Sequence, residues 1–312
     1  METGSAAAPG WPPGPPLGAV LFDLDETLIA DGAATDAALR AAAAPAAARY
    51  GIDPDALAGA VRRNAGALWR AAPTAGYCRA IGLASWEGLW AGFAGADPPL
   101  RALRAWAPAY RRLAWGQALL ELGVDDPDLA GAMAAAFPAA RRARASVFPD
   151  AEPVLRALRA RVPRLRLGLL TNGAPDLQRE KLALSGLGPW FDAVVVSGEE
   201  GVGKPDAAIF RRALDRLGVP PEAAAMVGDR LDRDVLGARR AGIFAVWLNR
   251  GGTPSGSVRS GDHRAEADGD AAGDAAGDAA GDAAGDAAGE GAPDAVVATL
   301  DALPGVLRLS PP

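Results

Sequence analysis

Asp23 and Asp25 stand two residues apart, directly behind the apolar run "GAVLF". Asp229 follows a second such run, "AAAMVG" (223–228), and Asp234 comes five residues later. Thr171 and Asn172 close a third run, "LRLGLL" (165–170), and Lys204 lies in the loop after a fourth, "AVVV" (193–196). Carboxylates gathered without histidine repel one another unless a hard cation sits among them. Mg2+ suits such a set, because it takes oxygen ligands and keeps waters that a phosphate oxygen can displace. A carboxylate can also act as a nucleophile and form an aspartyl-phosphate. A second carboxyl, outside the metal's reach, can protonate a leaving alkoxide and then activate water. A hydroxyl, an amide and an ammonium would neutralise the remaining phosphoryl oxygens. Each piece is common alone; four in fixed order, each at a strand end, point to phosphoryl chemistry.

Such convergence requires strands that run parallel. The helical patterns "AEPVLRALRARV", "DLQREKLALSGL", "DAAIFRRALDRLGV" and "DRDVLGARRAG" separate the apolar runs. This alternation predicts a parallel sheet with right-handed crossovers, and ligand sites in open sheets of this kind lie at strand carboxyl ends. The expected fold class is α/β, a Rossmann-like three-layer core with an inserted α-helical domain. From 31 to 147 the chain is mostly Ala, Leu, Arg and Trp with helical periodicity, so the first strand must join the sheet across this insertion. The expected core is therefore 18–30, 148–252 and 293–309, with the cap at 31–147. The Pro-, Ala- and Gly-rich stretch 1–17 is expected to be a disordered tail. The segment 253–292 holds five GDAA units. Glycine at every fourth position costs about 1 kcal/mol each against alanine in a helix, so this segment is expected to be a disordered loop.

Composition removes several classes of chemistry. The 312-residue chain has one histidine, His263, in the low-complexity segment, which excludes Ser-His-Asp and Cys-His catalysis. Cys78 is the sole cysteine, so no internal disulfide and no cysteine zinc site is available. Net charge is -6 without a basic block, which argues against nucleic-acid binding. No run of about 18 uncharged apolar residues suggests a membrane span, and the N-terminus lacks a basic signal-peptide region. A cytoplasmic protein with no nucleic-acid or membrane partner is expected.

The segments "FDLDETL", "LLTNG", "GVGKPD" and "VGDRLDRDVLGA" resemble, in order, the four motifs of the haloacid dehalogenase (HAD) superfamily, phosphatase branch. The likeness runs from about Gly18 to Leu309 apart from the low-complexity loop, and the helical insertion resembles that superfamily's α-helical cap. Within it, "TNGAPDLQREKL", "WFDAVVVSGEEGVGKPDAAIF" and "VWLNRGG" look closest to the N-acetylneuraminate 9-phosphatase and pyrimidine 5′-nucleotidase type. The resemblance implies Asp23 as nucleophile and Asp25 as acid/base, with Thr27 supporting their loop. It implies Thr171 and the Asn172 backbone as phosphoryl binders and Lys204 as a bridge between nucleophile and phosphate. Mg2+ would be held by Asp23, Asp229, Asp234 and the Asp25 backbone carbonyl. The implied activity is Mg2+-dependent hydrolysis of a phosphate monoester of a small metabolite, of the sugar phosphate or nucleotide class.

Rival readings fit less well. A dehalogenase needs no metal, which would leave Asp25, Asp229 and Asp234 without a joint purpose. A phosphomutase cap normally supplies His or Lys, and residues 31–147 contain neither. A non-catalytic scaffold binding partners through the acidic loop has no reason to keep the motif residues together. The near P-loop "GEEGVGK" (198–204) is followed by Pro205 where a nucleotide site needs Ser or Thr. Pro205 is instead expected to start the following helix. Lys181 is expected on an exposed helix face without a role in the chemistry, and Asp232 in solvent. The cap tryptophans, Trp69, Trp86, Trp90, Trp106 and Trp115, are expected mostly as packing. Arg62, Arg63, Arg79 and Tyr77 are possible polar contacts to the leaving group.

Overall fold

The structure, a computed structural model, describes residues 10–13, 15–252 and 291–310. The low-complexity segment expected as a loop lies outside the described residues from 253 to 290, and so do residues 1–9.

Six strands form one parallel sheet: β1 (Ala19–Phe22), β2 (Arg166–Thr171), β3 (Ala193–Val196), β4 (Ala224–Gly228), β5 (Phe244–Leu248) and β6 (Ala295–Val297). Their spatial order is β3-β2-β1-β4-β5-β6, that of doubly wound dinucleotide-binding folds. Strand side chains alternate between two faces, and both faces are covered. Val20 and Phe22 of β1 pack with Val154, Leu155 and Leu158 of α7 (Ala151–Arg161). Ala19 and Leu21 face Ile209, Phe210 and Leu214 of α10 (Ala207–Leu217) and Ala238 of α11 (Leu236–Arg240). Apolar side chains in both directions are what make these strands short unbroken apolar runs in the sequence. The three-layer Rossmann-like core is as expected.

Between β1 and α7 the chain forms six helices: α1 (Asp31–Tyr50), α2 (Pro54–Trp69), α3 (Ala75–Ile81), α4 (Ser85–Gly88), α5 (Pro98–Glu121) and α6 (Pro127–Arg142). They enclose a core of their own around Trp69, Trp90, Tyr110, Trp115 and Phe137. The chain enters and leaves this unit through two antiparallel segments. Phe148 N–H donates to Leu28 O (3.0 Å) and Ala30 N–H to Ser146 O (2.9 Å). Beyond β2 lie α8 (Pro175–Ser185), α9 (Ser197–Glu200) and, after β6, α12 (Leu303–Val306).

Two local expectations need correction. Trp11, expected within a disordered tail, is buried: its ring meets Phe244 edge-on and its backbone N–H donates to Val306 O at 2.8 Å. Burial of the large indole ring favours order in this stretch. Pro205 does not start α10. Asp206 caps that helix by accepting from Ala208 N–H at 2.8 Å, which leaves Pro205 outside it, after a cis Lys204–Pro205 bond.

Candidate active site

The strand order reverses at β1, whose neighbours β2 and β4 lead to opposite edges of the sheet. Crevices open beyond the carboxyl ends at such a switch point. Asp23 follows β1 there, its N–H extending the ladder to Val227 O at 3.0 Å, and Asp229 follows β4. Asp234 is brought back by a π-helical turn, Leu231–Val235, and its Oδ2 accepts from Arg230 N–H at 3.0 Å. Gly228 makes room for it, since a Cβ at that position would lie 2.3 Å from Asp234 Cγ. One carboxylate oxygen each from Asp23, Asp229 and Asp234 falls within 4.8 Å of the others, and all three residues are buried.

Lys204 reaches this cluster from the loop after α9. Its Nζ lies 2.5 Å from Asp23 Oδ1 and 2.7 Å from Asp234 Oδ1. The loop is held by Asn172, whose side chain accepts from Lys204 N–H (2.9 Å) and donates to Lys204 O (3.0 Å). Burial pushes Asp23 up to about 6, although Lys204 opposes it. Burial, with Asp23 and Asp234 beside it, holds Asp229 well above the usual carboxylate range. Burial alone would lower Lys204, but Asp23 and Asp234 outweigh it and hold the ammonium above its ordinary value. Three carboxylates against one ammonium leave a negative excess that a divalent oxygen-seeking cation fits. Arg230 lines the cleft and grips the exposed Asp232 through two bonds of 2.9 Å.

Asp25 lies apart from the acid triad. Its carboxylate accepts from Gln178 Nε2 (3.1 Å) and, through both oxygens, from Lys181 Nζ (3.0 Å each). Burial pushes it up to about 8, opposed by Lys181 and reinforced by Asp31, Glu87 and Asp23. Lys181, expected to be exposed and idle, is therefore a correction: it is buried among Asp25, Asp31 and Glu87. Three acids from distant parts of the chain compensate the desolvation of its ammonium. Thr27 and Thr171 bury hydroxyls that meet no hydrogen-bond partner among the described residues. Neither lines the cleft, whereas Asp23, Asp25, Asn172, Lys204, Asp229 and Asp234 do.

The cleft has a volume of about 370 Å3 and is closed on the far side by helices of the insertion. Arg62 and Trp86 line it there, with the guanidinium 5.9 Å from the indole ring and bonded to Asp36 Oδ1 through Nε (2.9 Å) and NH2 (2.5 Å). Of the other candidate contacts, Arg63 pairs with Glu121 on the surface, Arg79 is exposed and Tyr77 reaches Gly198 O at 3.5 Å. Trp69, Trp90 and Trp115 are packing residues. The residues that sequence reasoning missed are Lys181, Gln178, Glu87 and the Asn172 side chain; "QREK", with Gln and Lys three apart on one helix face, was the available signal.

Fold and site together define an α/β protein with a Rossmann-like core and an acidic cleft under a helical insertion. The family of haloacid dehalogenase-like hydrolases matches residues 17–242. The chain is 44% identical over 245 residues to a phosphoserine phosphatase of Thermus thermophilus, covering 78% of this chain and 94% of that protein. It is 39% identical over 144 residues to the rat N-acylneuraminate-9-phosphatase, 45% of this chain and 57% of that one. A HAD phosphatase from Thermococcus onnurineus shares the fold with a TM-score of 0.54 at 24% identity, covering 95% of this chain and all (100%) of that chain. A 2-haloacid dehalogenase from Pseudomonas syringae pv. Tomato aligns with a TM-score of 0.52 at 25% identity, covering 94% and 98%. The chain belongs to the haloacid dehalogenase-like hydrolase family. It is an enzyme of that family's phosphoric monoester hydrolase side.

Proposed function

We propose that this hydrolase is a Mg2+-dependent phosphatase of small phosphorylated metabolites that works through an aspartyl-phosphate on Asp23. The observation that supports it most is the meeting of Asp23, Asp229, Asp234 and Lys204 at the switch point of the sheet. Those three carboxylates and the Asp25 backbone carbonyl would hold Mg2+, which would supply charge compensation for the phosphoryl oxygens. Lys204 fixes Asp23 and adds a positive charge beside the incoming phosphate. The Asn172 backbone binds the phosphoryl group, Thr171 turns its buried, unpaired hydroxyl toward it once substrate is seated, and Thr27 supports the nucleophile loop. Asp23 attacks phosphorus as the bond to the leaving oxygen breaks, and Asp25 gives that oxygen its proton. With a carboxyl that titrates near 8, Asp25 still carries the proton at neutral pH. Asp25 then takes a proton from water, whose oxygen attacks the aspartyl-phosphate phosphorus, releasing inorganic phosphate and restoring Asp23.

Residues 31–147 act as the cap over the leaving group. Arg62 and Asp36 present both signs of charge at that end of the cleft. This favours a leaving group carrying a carboxylate and an ammonium, and the Thermus thermophilus relative makes O-phospho-L-serine the first compound to try. A panel of that compound, sugar phosphates and nucleotides, scored by kcat/KM with Mg2+, ranks the classes; a sugar phosphate or nucleotide in first place overturns the amino-acid reading. Turnover of p-nitrophenyl phosphate is expected to require Mg2+ and to fall about 10⁴-fold or more in Asp23→Asn. Undiminished turnover in that variant, free of contaminating phosphatase, rules out Asp23 as nucleophile.

A further inference from the structure

Only two of the chain's 32 basic residues are lysines, and the second, Lys181, is buried where the sheet domain meets the helical insertion. Its Nζ lies 3.0 Å from both oxygens of Asp25, 2.7 Å from Glu87 Oε1 and 3.1 Å from Asp31 Oδ1. Asp25 follows β1, Glu87 sits in α4 and Asp31 opens α1, so one atom of α8 ties three elements.

An ion cluster that merely docked the cap would not need Asp25. Arg142 of α6 already meets Glu180 of α8 at 2.5 Å, and Ala94 N–H of the insertion donates to Asp176 Oδ2 of α8 at 3.0 Å. What exceeds docking is the even, two-oxygen contact on Asp25, joined by Gln178 Nε2 on Oδ2 from the same face of α8. Donors on both oxygens fix the plane of the carboxyl group. Glu87 is itself held: Oε2 accepts from Ala84 N–H at 2.9 Å and Oε1 from Gln178 Nε2 at 3.1 Å. Every neighbour of the ammonium is thus anchored to backbone or to a second side chain.

We propose that Lys181 is a positioning residue for Asp25, aiming its carboxyl at the leaving-group oxygen, and that Glu87 of the cap holds Lys181 in that place. This rests on the phosphatase reading above. Seating of α4 on the core then becomes a condition for proton delivery. Leaving groups that depart as stable anions are indifferent to it, whereas alkoxides are not.

The test compares kcat/KM, which covers the steps through alcohol release, for p-nitrophenyl phosphate and 2-phenylethyl phosphate at saturating Mg2+. Lys181→Met is expected to lower the alkyl phosphate value by about 10²-fold, the scale of general acid catalysis, and the nitrophenyl value only a few-fold. Equal losses on both substrates, or none, overturn the proposal in favour of a structural ion cluster. If Lys181→Met does not fold, judged by its thermal melt, Glu87→Gln carries the comparison. A selective loss on the alkyl phosphate is again expected, and an even loss or no loss overturns the proposal. Asp25→Asn separates the two levels. Absence of selective loss there overturns the acid/base role of Asp25, and with it this inference. Selective loss there with none in either other variant overturns the inference alone.

Discussion

Asp23 and Asp234 share one buried ammonium, that of Lys204, and Asp229 stands beside them, so the metal-free site holds negative charge that burial cannot screen. Asp23 at about 6, Asp25 at about 8 and Asp229 well above its ordinary value each bind a proton more tightly in the folded chain. Their contribution to stability is complete below the unfolded value, about pH 4, and is lost as pH rises through the folded values. Asp31, Asp150 and Asp192 work the other way: burial raises them, but their cationic partners and hydrogen bonds hold them low. Their contribution is present above about pH 4 and is lost in acid. Between pH 5 and 8, then, thermal melts in EDTA are expected to show Tm falling with pH. Saturating Mg2+ is expected to flatten that fall, and Mg2+ affinity measured by calorimetry is expected to rise over the same interval. A Tm in EDTA that is level from pH 5 to 8 contradicts the charge assignment.

The elements explain how such groups are held within bonding distance. The π-helical turn at Leu231–Val235 returns Asp234 over Gly228, where only a hydrogen fits. Gly228→Ala is expected to displace Asp234, weakening Mg2+ binding and kcat by roughly tenfold or more, on the scale of lost support to a metal ligand. Calorimetric titration with Mg2+ checks this, and unchanged affinity contradicts it. A similar close approach seats the insertion on the core. A Cβ at Gly82, whose φ is +68°, would lie 2.4 Å from Asn172 Nδ2, the group that pins the Lys204 loop. Ser197 Oγ also donates to Ile81 O at 2.6 Å. Gly82→Ala is therefore expected to lower turnover through Lys204, a residue it does not touch. Steady-state rates read this directly, and a wild-type kcat removes the link.

At the scale of the molecule, the helices of the insertion and the sheet with its flanking helices gather their buried side chains into different clusters, Ala174 and Leu177 joining the first from the sheet side. The two face one another across an acidic cleft. The sheet's far edge is secured on both sides of the 253–290 segment. β5 and β6 pair from Val246–Ala295 to Leu248–Val297, extended by Asp294 N–H to Ala245 O and Asn249 N–H to Val297 O. Deleting Gly261 to Gly289 is expected to leave kcat within about twofold and Tm within about 4 °C, since loop length enters closure entropy only logarithmically. A larger loss of either would show that the segment contributes contacts of its own. No helix among the described residues is long and apolar enough to cross a membrane.

The parallel sheet and the order of its polar strand ends were legible in the sequence. Apolar runs, intervening amphipathic periods and the acids behind them are local signals that topology carries to one edge. The helical character of 31–147 was legible for the same reason. Lys181 was not. A lysine in the polar phase of a helix reads as solvent-facing, because sequence records a preference for water and not the partners that replace it. Those partners, Asp25 and Glu87, lie 156 and 94 residues away. Nor could local pattern show that the Asn172 side chain clamps a loop 32 residues on, or that Trp11 finds a place against Phe244. The sequence by itself determined which chemistry is available and on which strands. Only the tertiary structure decided which charges are desolvated together, because burial and distance are properties of the packed molecule.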